Sequence, residues 1–229
     1  MCGIVGYVGS RQAPELIYGG LQRLEYRGYD SAGIAVVEED GNIGVRRDAG
    51  KLHNLGSLLD THPLVGQIGI GHTRWATHGQ PTAYNAHPHT SMNGRIVLVH
   101  NGIIENFAEL RQQLEAQGVT FQSDTDSEVA AHLIEQFMED GDEFETATRR
   151  SIAMFKGSSA FVVMNRDQPD RLITARLGNA GGIALGIGEQ EMFIASDIPA
   201  IHEYTRNMIF LESRQMAIIT QDAYKLMEL

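Results

Sequence analysis

The single cysteine of this 229-residue sequence stands second, directly after Met1. A lone cysteine is by type most often a small buried hydrophobe, but this position offers another chemistry. Cysteine is small enough for the preceding methionine to be removed, and that cleavage would leave a thiol and an α-amine on one residue. Their reference pKa values are about 8.5 and about 7.7–8.0, so moving a proton from sulfur to nitrogen costs only about 1 kcal/mol. An amine of that strength serves as a general base near neutral pH, and a bridging water relieves the awkward geometry of transfer within one residue. The pairing parallels N-terminal threonine nucleophiles and calls for no histidine partner. While Met1 remains, the Cys2 nitrogen is an amide and cannot act as a base.

Other chemistry-bearing groups read less sharply from type and spacing. Arg74 alone suits a surface ion pair, Asn101-Gly102 is a strong turn signal, and Asp126 could simply complement a helix dipole. His72, His78, His87, His89 and His100 raise the question of a metal. His87-Pro88-His89 lacks the i, i+4 helical spacing of zinc-protease motifs, so no metal is expected. Gly178, Gly181, Gly182, Gly186 and Gly188 lead into no Gly-Lys-Ser/Thr terminus and read as strand punctuation rather than a phosphate cradle.

Elements must bring such groups together. Residues 2–9 read as a buried strand, followed by a helix from about Ala13 with Ile17, Leu21 and Leu24 on one face and Gly28 at its end. Ser31 to Val37 and Ile43 to Asp48 form a hairpin through Asp40-Gly41-Asn42. Gln67 to Thr73 is a strand that runs into a polar, punctuated surface loop, Arg74 to Pro81. Arg95 to His100 is another strand, which Asn101-Gly102 closes before a helix containing Phe107, Leu110 and Leu114. Thr125-Asp126-Ser127-Glu128 matches a capping box and places Asp126 in the first turn of a helix carrying Val129, Leu133, Ile134 and Phe137. Ala160 to Met164, Gly182 to Leu185, Met192 to Ala195, Met208 to Leu211 and Met216 to Ile219 read as further strands. Asp222 to Leu229 shows no clear strand pattern and reads as the start of a linker. Hairpins with helices between them predict an α+β or layered α/β domain rather than a parallel βαβ series.

Composition narrows the function classes. A formal net charge of −11, from 18 basic and 29 acidic residues, argues against a nucleic-acid partner. One cysteine allows no intrachain disulfide, so a cytoplasmic setting is the simplest expectation. The N-terminus lacks the basic region of a signal peptide, and no apolar run approaches the roughly 20 residues of a membrane-spanning helix.

Several segments, taken in order, carry a resemblance. Cys2-Gly3-Ile4-Val5-Gly6 resembles the start of the class II, N-terminal-nucleophile glutamine amidotransferases. Leu24 to Gly33 (LEYRGYDSAG) and Gly71 to Gly79 (GHTRWATHG) resemble the glutaminase domain of the glucosamine-6-phosphate synthase branch in particular. Val99 to Asn106, Ser123 to Glu128 and Phe193 to Asp197 continue the match along essentially the whole chain.

The resemblance implies an α+β fold, a four-layer αββα sandwich of two antiparallel sheets, over residues 1–221, with 222–229 leading toward a sugar-phosphate isomerase portion absent here. It implies that Cys2 attacks the side-chain carbonyl of L-glutamine, with the Asn101 amide and the Gly102 N–H as oxyanion hole. Arg74 would hold the substrate α-carboxylate through its guanidinium fork, and Asp126 the α-ammonium. Thr77, His78 and the Trp75 backbone would line the pocket. It further implies no cofactor, fructose 6-phosphate as acceptor in the full-length enzyme, and a full-length homodimer. A non-catalytic glutamine-sensing domain and a purine-pathway amidotransferase are the alternatives.

Overall fold

A computed structural model of the chain describes residues 2–76 and 79–229, so Met1, Thr77 and His78 lie outside it. In chain order its strands are Gly3–Val8 (β1), Ser31–Val37 (β2), Ile43–Ala49 (β3), Ile68–Arg74 (β4), His89–Thr90 (β5), Ile96–Gly102 (β6) and Ser159–Asn165 (β7). Arg171–Leu177 (β8), Ala184–Ile187 (β9), Met192–Ala195 (β10), Met208–Phe210 (β11), Gln215–Thr220 (β12) and Tyr224–Glu228 (β13) follow. The helices are Ala13–Leu24 (α1), Leu52–Thr61 (α2), Phe107–Ala116 (α3), Glu128–Glu139 (α4) and Phe144–Met154 (α5).

The strands form two antiparallel sheets. One has the order β11-β9-β10-β1-β4-β2-β3 and the other β13-β12-β8-β7-β6-β5. Three apolar clusters show how the sheets are layered. Val5, Tyr7, Ile17, Leu21 and Leu55 join the first sheet to α1 and α2. Ile4, Val8, Ile70, Val97 and Val99 lie between the sheets. Leu98, Phe161, Leu114, Val129 and Phe144 join the second sheet to α3, α4 and α5. The order helices, sheet, sheet, helices is the αββα sandwich, and each apolar side chain buried in it contributes about 1.5–3 kcal/mol over exposure. Among the described residues no helix is long and apolar enough to cross a membrane.

Pleating then decides which side chains meet, because alternate residues of a strand point to opposite faces. On β1, Ile4 and Val8 face the second sheet and Val5 and Tyr7 face α1, which puts Cys2 in phase with the inter-sheet face. On β4, Ile70 faces the second sheet, so His72 and Arg74 share its phase. On β6, Val97 and Val99 face back, and Asn101 follows them.

Four local expectations differ from the structure. Arg74 ends β4 and is buried, so the surface loop begins only at Trp75. Its register opposite Ser31 of β2 keeps it in the sheet. The capping box at Thr125–Glu128 does not form: α4 starts at Glu128, its N-cap Ser127 makes no side-chain cap, and Asp126 precedes the helix. The Glu128 carboxylate instead accepts from the backbone N–H groups of Gln122 and Ser123 at 2.8 and 2.7 Å and from Ser123 Oγ. Tyr224–Glu228 is not irregular; it pairs with β12 as an exposed edge strand. Finally β8, whose arginines interrupt its apolar pattern, gave no strand signal, yet it sits between β7 and β12.

Glu128 thus locks the segment that carries Asp126. Burial opposes its ionisation, but His132, the Gln122 and Ser123 backbone and the Ser123 hydroxyl outweigh that and hold its pKa down at about 2. A carboxylate with a depressed folded pKa stabilises above its unfolded value, about 4.3, and that contribution disappears as pH falls toward 2. Glu128→Ala is expected to lower stability at pH 7 by on the order of 3 kcal/mol, since it strands several buried donors. Urea unfolding at pH 7 and pH 3 checks this, with the difference between variant and wild type shrinking at the lower pH.

Candidate active site

β1 and β4 run side by side with Gly3 opposite Thr73, so the start of one and the end of the other share one edge of the sandwich. Cys2, just ahead of β1, meets Arg74 there. β6 of the facing sheet delivers Asn101 and Gly102 to the same place, and the segment before α4 brings Asp126. Together with Trp75 they line a cavity of about 270 Å³. That is near the small end of the ~300–1,000 Å³ range of ligand sites, and it favours an amino-acid-sized guest.

Short contacts fix each group. The Trp75 N–H donates to Cys2 Sγ at 3.2 Å, and the thiol faces the Trp75 carbonyl at 3.5 Å. The Trp75 indole itself is exposed and meets Tyr29 edge-on, with ring centroids 5.5 Å apart, so only its backbone serves the sulfur. Asn101 Nδ2 donates to the Cys2 carbonyl at 3.2 Å. Gly102 has φ +127°, and a Cβ there would lie 2.1 Å from the Ser158 carbonyl oxygen, so no other residue fits.

The charged groups are also held. Arg74 donates to the Gln80 and Gly79 carbonyls at 3.2 and 3.4 Å. Asp126 accepts the Ile104 N–H at 2.8 Å and the Ser127 hydroxyl at 3.4 Å. Asp30 fastens the chain on either side of Trp75: its N–H donates to the Arg74 carbonyl and its carboxylate accepts from the Ala76 N–H, at 3.0 and 2.9 Å. Gly28 permits this, because a Cβ there would sit 2.7 Å from the Arg74 carbonyl carbon.

Burial dominates the electrostatics. It pushes the Cys2 thiol above its ordinary value, against the opposing influence of the Trp75 N–H and Arg74. It lowers Arg74, while Cys2, Asp126 and Asp30 draw it back up, and a guanidinium stays cationic regardless. Burial also lowers His72 and His89 to about 3, and drops His87 and His100 below the usual imidazole range. These rings lie close together, with His72 and His89 centroids 4.1 and 4.5 Å from that of His87. Among the described residues no group of three or more His, Cys, Asp or Glu is placed to hold a metal ion.

The family profile described as "Glutamine amidotransferase domain" matches residues 72–203, more than half of the chain. The chain belongs to this family. Over 98% of its length it is 51% identical to glutamine--fructose-6-phosphate aminotransferase [isomerizing] of Thermococcus kodakarensis, and over its whole length 51% identical to the enzyme of the same name from Pyrococcus horikoshii. It spans only 37% and 38% of those two proteins. Among solved structures it resembles the glutamine phosphoribosylpyrophosphate amidotransferase of B. subtilis, with a TM-score of 0.86 and 29% identity, covering 99% of this chain and 49% of that one.

Within this class II amidotransferase domain, six residues singled out by sequence, Cys2, Arg74, Trp75, Asn101, Gly102 and Asp126, converge on one cavity. Thr77 and His78, also expected there, lie outside the described residues. Seven further wall residues were not assigned to the site from sequence, Arg27 and Ala180 among them. Arg27 is buried and paired with Asp197 at 2.6 Å; its place within the LEYRGYDSAG segment was the available signal. Ala180 lies in the glycine-rich stretch read only as strand punctuation.

The neutral buried histidines make the domain acid-sensitive. A histidine whose folded pKa is lowered binds its proton in the unfolded state first, so stability falls as pH drops below about 6.5 and the loss continues toward about 3. For His72 the loss between pH 7 and pH 5 is about 2 kcal/mol. The urea midpoint should therefore fall over this interval, where the carboxylates remain ionised, and a midpoint unchanged from pH 7 to pH 5 would contradict the burial argument.

Proposed function

We propose that this domain hydrolyses L-glutamine to glutamate and ammonia through a γ-glutamyl thioester on Cys2. The observation that carries the reading is one cavity that joins the only thiol of the chain to an amide donor, a buried guanidinium and a carboxylate. Opposite charges on Arg74 and Asp126 suit the α-carboxylate and α-ammonium of an amino acid, the first through a bidentate fork. The Trp75 backbone lines the same cavity, and the family resemblance adds Thr77 and His78, outside the described residues, as proposed glutamine contacts.

The raised thiol needs a base. The buried histidines have lost basicity, and none of the hydrogen bonds to Cys2 Sγ comes from an imidazole among the described residues. This reading assigns the role to the α-amine exposed on Cys2 by removal of Met1, which takes the thiol proton directly or through water. The sulfur then bonds to the side-chain carbonyl carbon of glutamine, and the new oxyanion receives hydrogen bonds from Asn101 Nδ2 and the Gly102 N–H. The carbon–nitrogen bond breaks as the ammonium returns its proton to departing ammonia. Water, deprotonated by the same amine, hydrolyses the thioester and regenerates the thiol. No step calls for a metal or organic cofactor.

In an intact protein of the length of the matched relatives, the ammonia would convert fructose 6-phosphate to glucosamine 6-phosphate on a following isomerase portion. A cytoplasmic homodimer is the accompanying proposal.

Cys2→Ala should abolish ammonia release, and undiminished release would refute the assignment. A pure glutamine-sensing domain would instead bind glutamine with no trappable thioester. Asn101→Ala is expected to lower kcat about 100- to 1,000-fold, whereas Arg74→Lys should act mainly through a raised KM because it loses the fork. Steady-state kinetics with glutamine separates the two.

A further inference from the structure

An asparagine amide has nearly the same shape in its two flip states, yet only one state presents N–H groups to an oxyanion. Something must choose between them. Asn101 sits on β6 of one sheet, and His72 reaches it from β4 of the other, fully buried. His72 Nε2 lies 3.0 Å from Asn101 Oδ1 and 3.1 Å from the His100 backbone carbonyl oxygen.

The carbonyl settles the sequence of choices. A backbone oxygen can only accept, so His72 Nε2 must carry hydrogen. A nitrogen that carries hydrogen can face only the oxygen of the Asn101 amide, because the flipped amide would set donor against donor at 3.0 Å. With Oδ1 so engaged, Nδ2 is turned to the cavity side, where it donates to the Cys2 carbonyl at 3.2 Å and keeps its second hydrogen for the substrate. The other ring nitrogen of His72, Nδ1, has no hydrogen-bond partner among the described residues, as befits the unprotonated position of this tautomer. The ring cannot easily turn away, since it lies against His87 at 4.1 Å between centroids.

We propose that His72 is a positioning residue for glutamine hydrolysis: by donating from Nε2 to both the His100 carbonyl and Asn101 Oδ1, it holds the Asn101 amide with its N–H groups aimed at the developing oxyanion. This rests on the hydrolytic role proposed above for Cys2 and Asn101. His72 touches no substrate atom; it acts through Asn101. It also spans the gap between the sheet that carries the nucleophile and the sheet that carries the oxyanion donor, so the same bond sets their spacing.

The test uses two variants of similar length and bulk, one with a donor and one without. In the processed chain beginning at Cys2, His72→Gln keeps an N–H that reaches both oxygens, and His72→Met does not. H72M is expected to lose about 10- to 100-fold in kcat with KM changed by less than about threefold, while H72Q stays within about tenfold of wild type. In an Asn101→Ala background, adding H72M should cost no more than about threefold further, because its target is gone. Thermal melting of each variant identifies any that fails to fold, and His72→Leu replaces H72M as the donor-free variant if H72M does.

Equal impairment of H72Q and H72M would show a packing role and overturn the proposal, as would wild-type kcat in both. Full loss from H72M on top of Asn101→Ala would also overturn it, since the two residues would then act independently. Failure of the wild-type chain to hydrolyse glutamine would bring down the hydrolytic reading itself, an outcome distinct from any difference among His72 variants.

Discussion

The antiparallel contact between the start of β1 and the end of β4 is the constraint on which the site depends. Residue 2 of an ordinary chain frays into solvent. Here it precedes a strand paired on both sides, by β10 and β4, and the alternation that buries Ile4 and Val8 between the sheets points the Cys2 side chain the same way. The strand beside it ends in Arg74, and the backbone of the next residue, Trp75, donates directly to the sulfur. The Cys2 thiol is therefore positioned by the strand it precedes and by the Trp75 backbone, without a loop of its own.

That placement has an electrostatic consequence. A pocket between two sheets is dry enough to raise the thiol and to strip basicity from the histidines beside it. In many hydrolases an imidazole takes the proton from the nucleophile. Here the imidazoles serve as neutral polar props. His100 illustrates this: its ring nitrogens meet the Ser127 and Ser159 hydroxyls at 2.8 and 3.1 Å, tying the segment of Asp126 to the sheet. In the proposed mechanism the base is instead the α-amine that removal of Met1 would place on Cys2 itself.

Much of this was legible in the sequence. The Ile17, Leu21 and Leu24 stripe announced α1, and Asp40-Gly41-Asn42 announced the β2–β3 hairpin, because both signals are local. The layering came from motif resemblance, and the alternation of β1, β4 and β6 places Cys2, Arg74 and Asn101 in phase with apolar residues of the inter-sheet core. What escaped reading depends on distant partners. The Thr125–Glu128 pattern fits a capping box, but Gln122 and Ser123 take the Glu128 carboxylate. Arg74 looked like a loop residue until its pairing with β2 was visible. His72 read only as one of several histidines, since no spacing reveals a bond across two sheets. Strand β13 has four of its five residues open to solvent and only Met227 partly covered, so it lacks the alternation that marks a half-buried strand.

In the proposed mechanism the sulfur of Cys2 works only with its own free amine. The most direct test compares chain beginning at Cys2 with chain that retains Met1, each treated with an electrophilic glutamine analogue and examined by intact mass and N-terminal peptide mapping alongside glutamine turnover. One adduct on Cys2 and steady ammonia release are expected from the processed chain, with turnover lost when Met1 remains. Equal turnover by the Met1-bearing chain would contradict it.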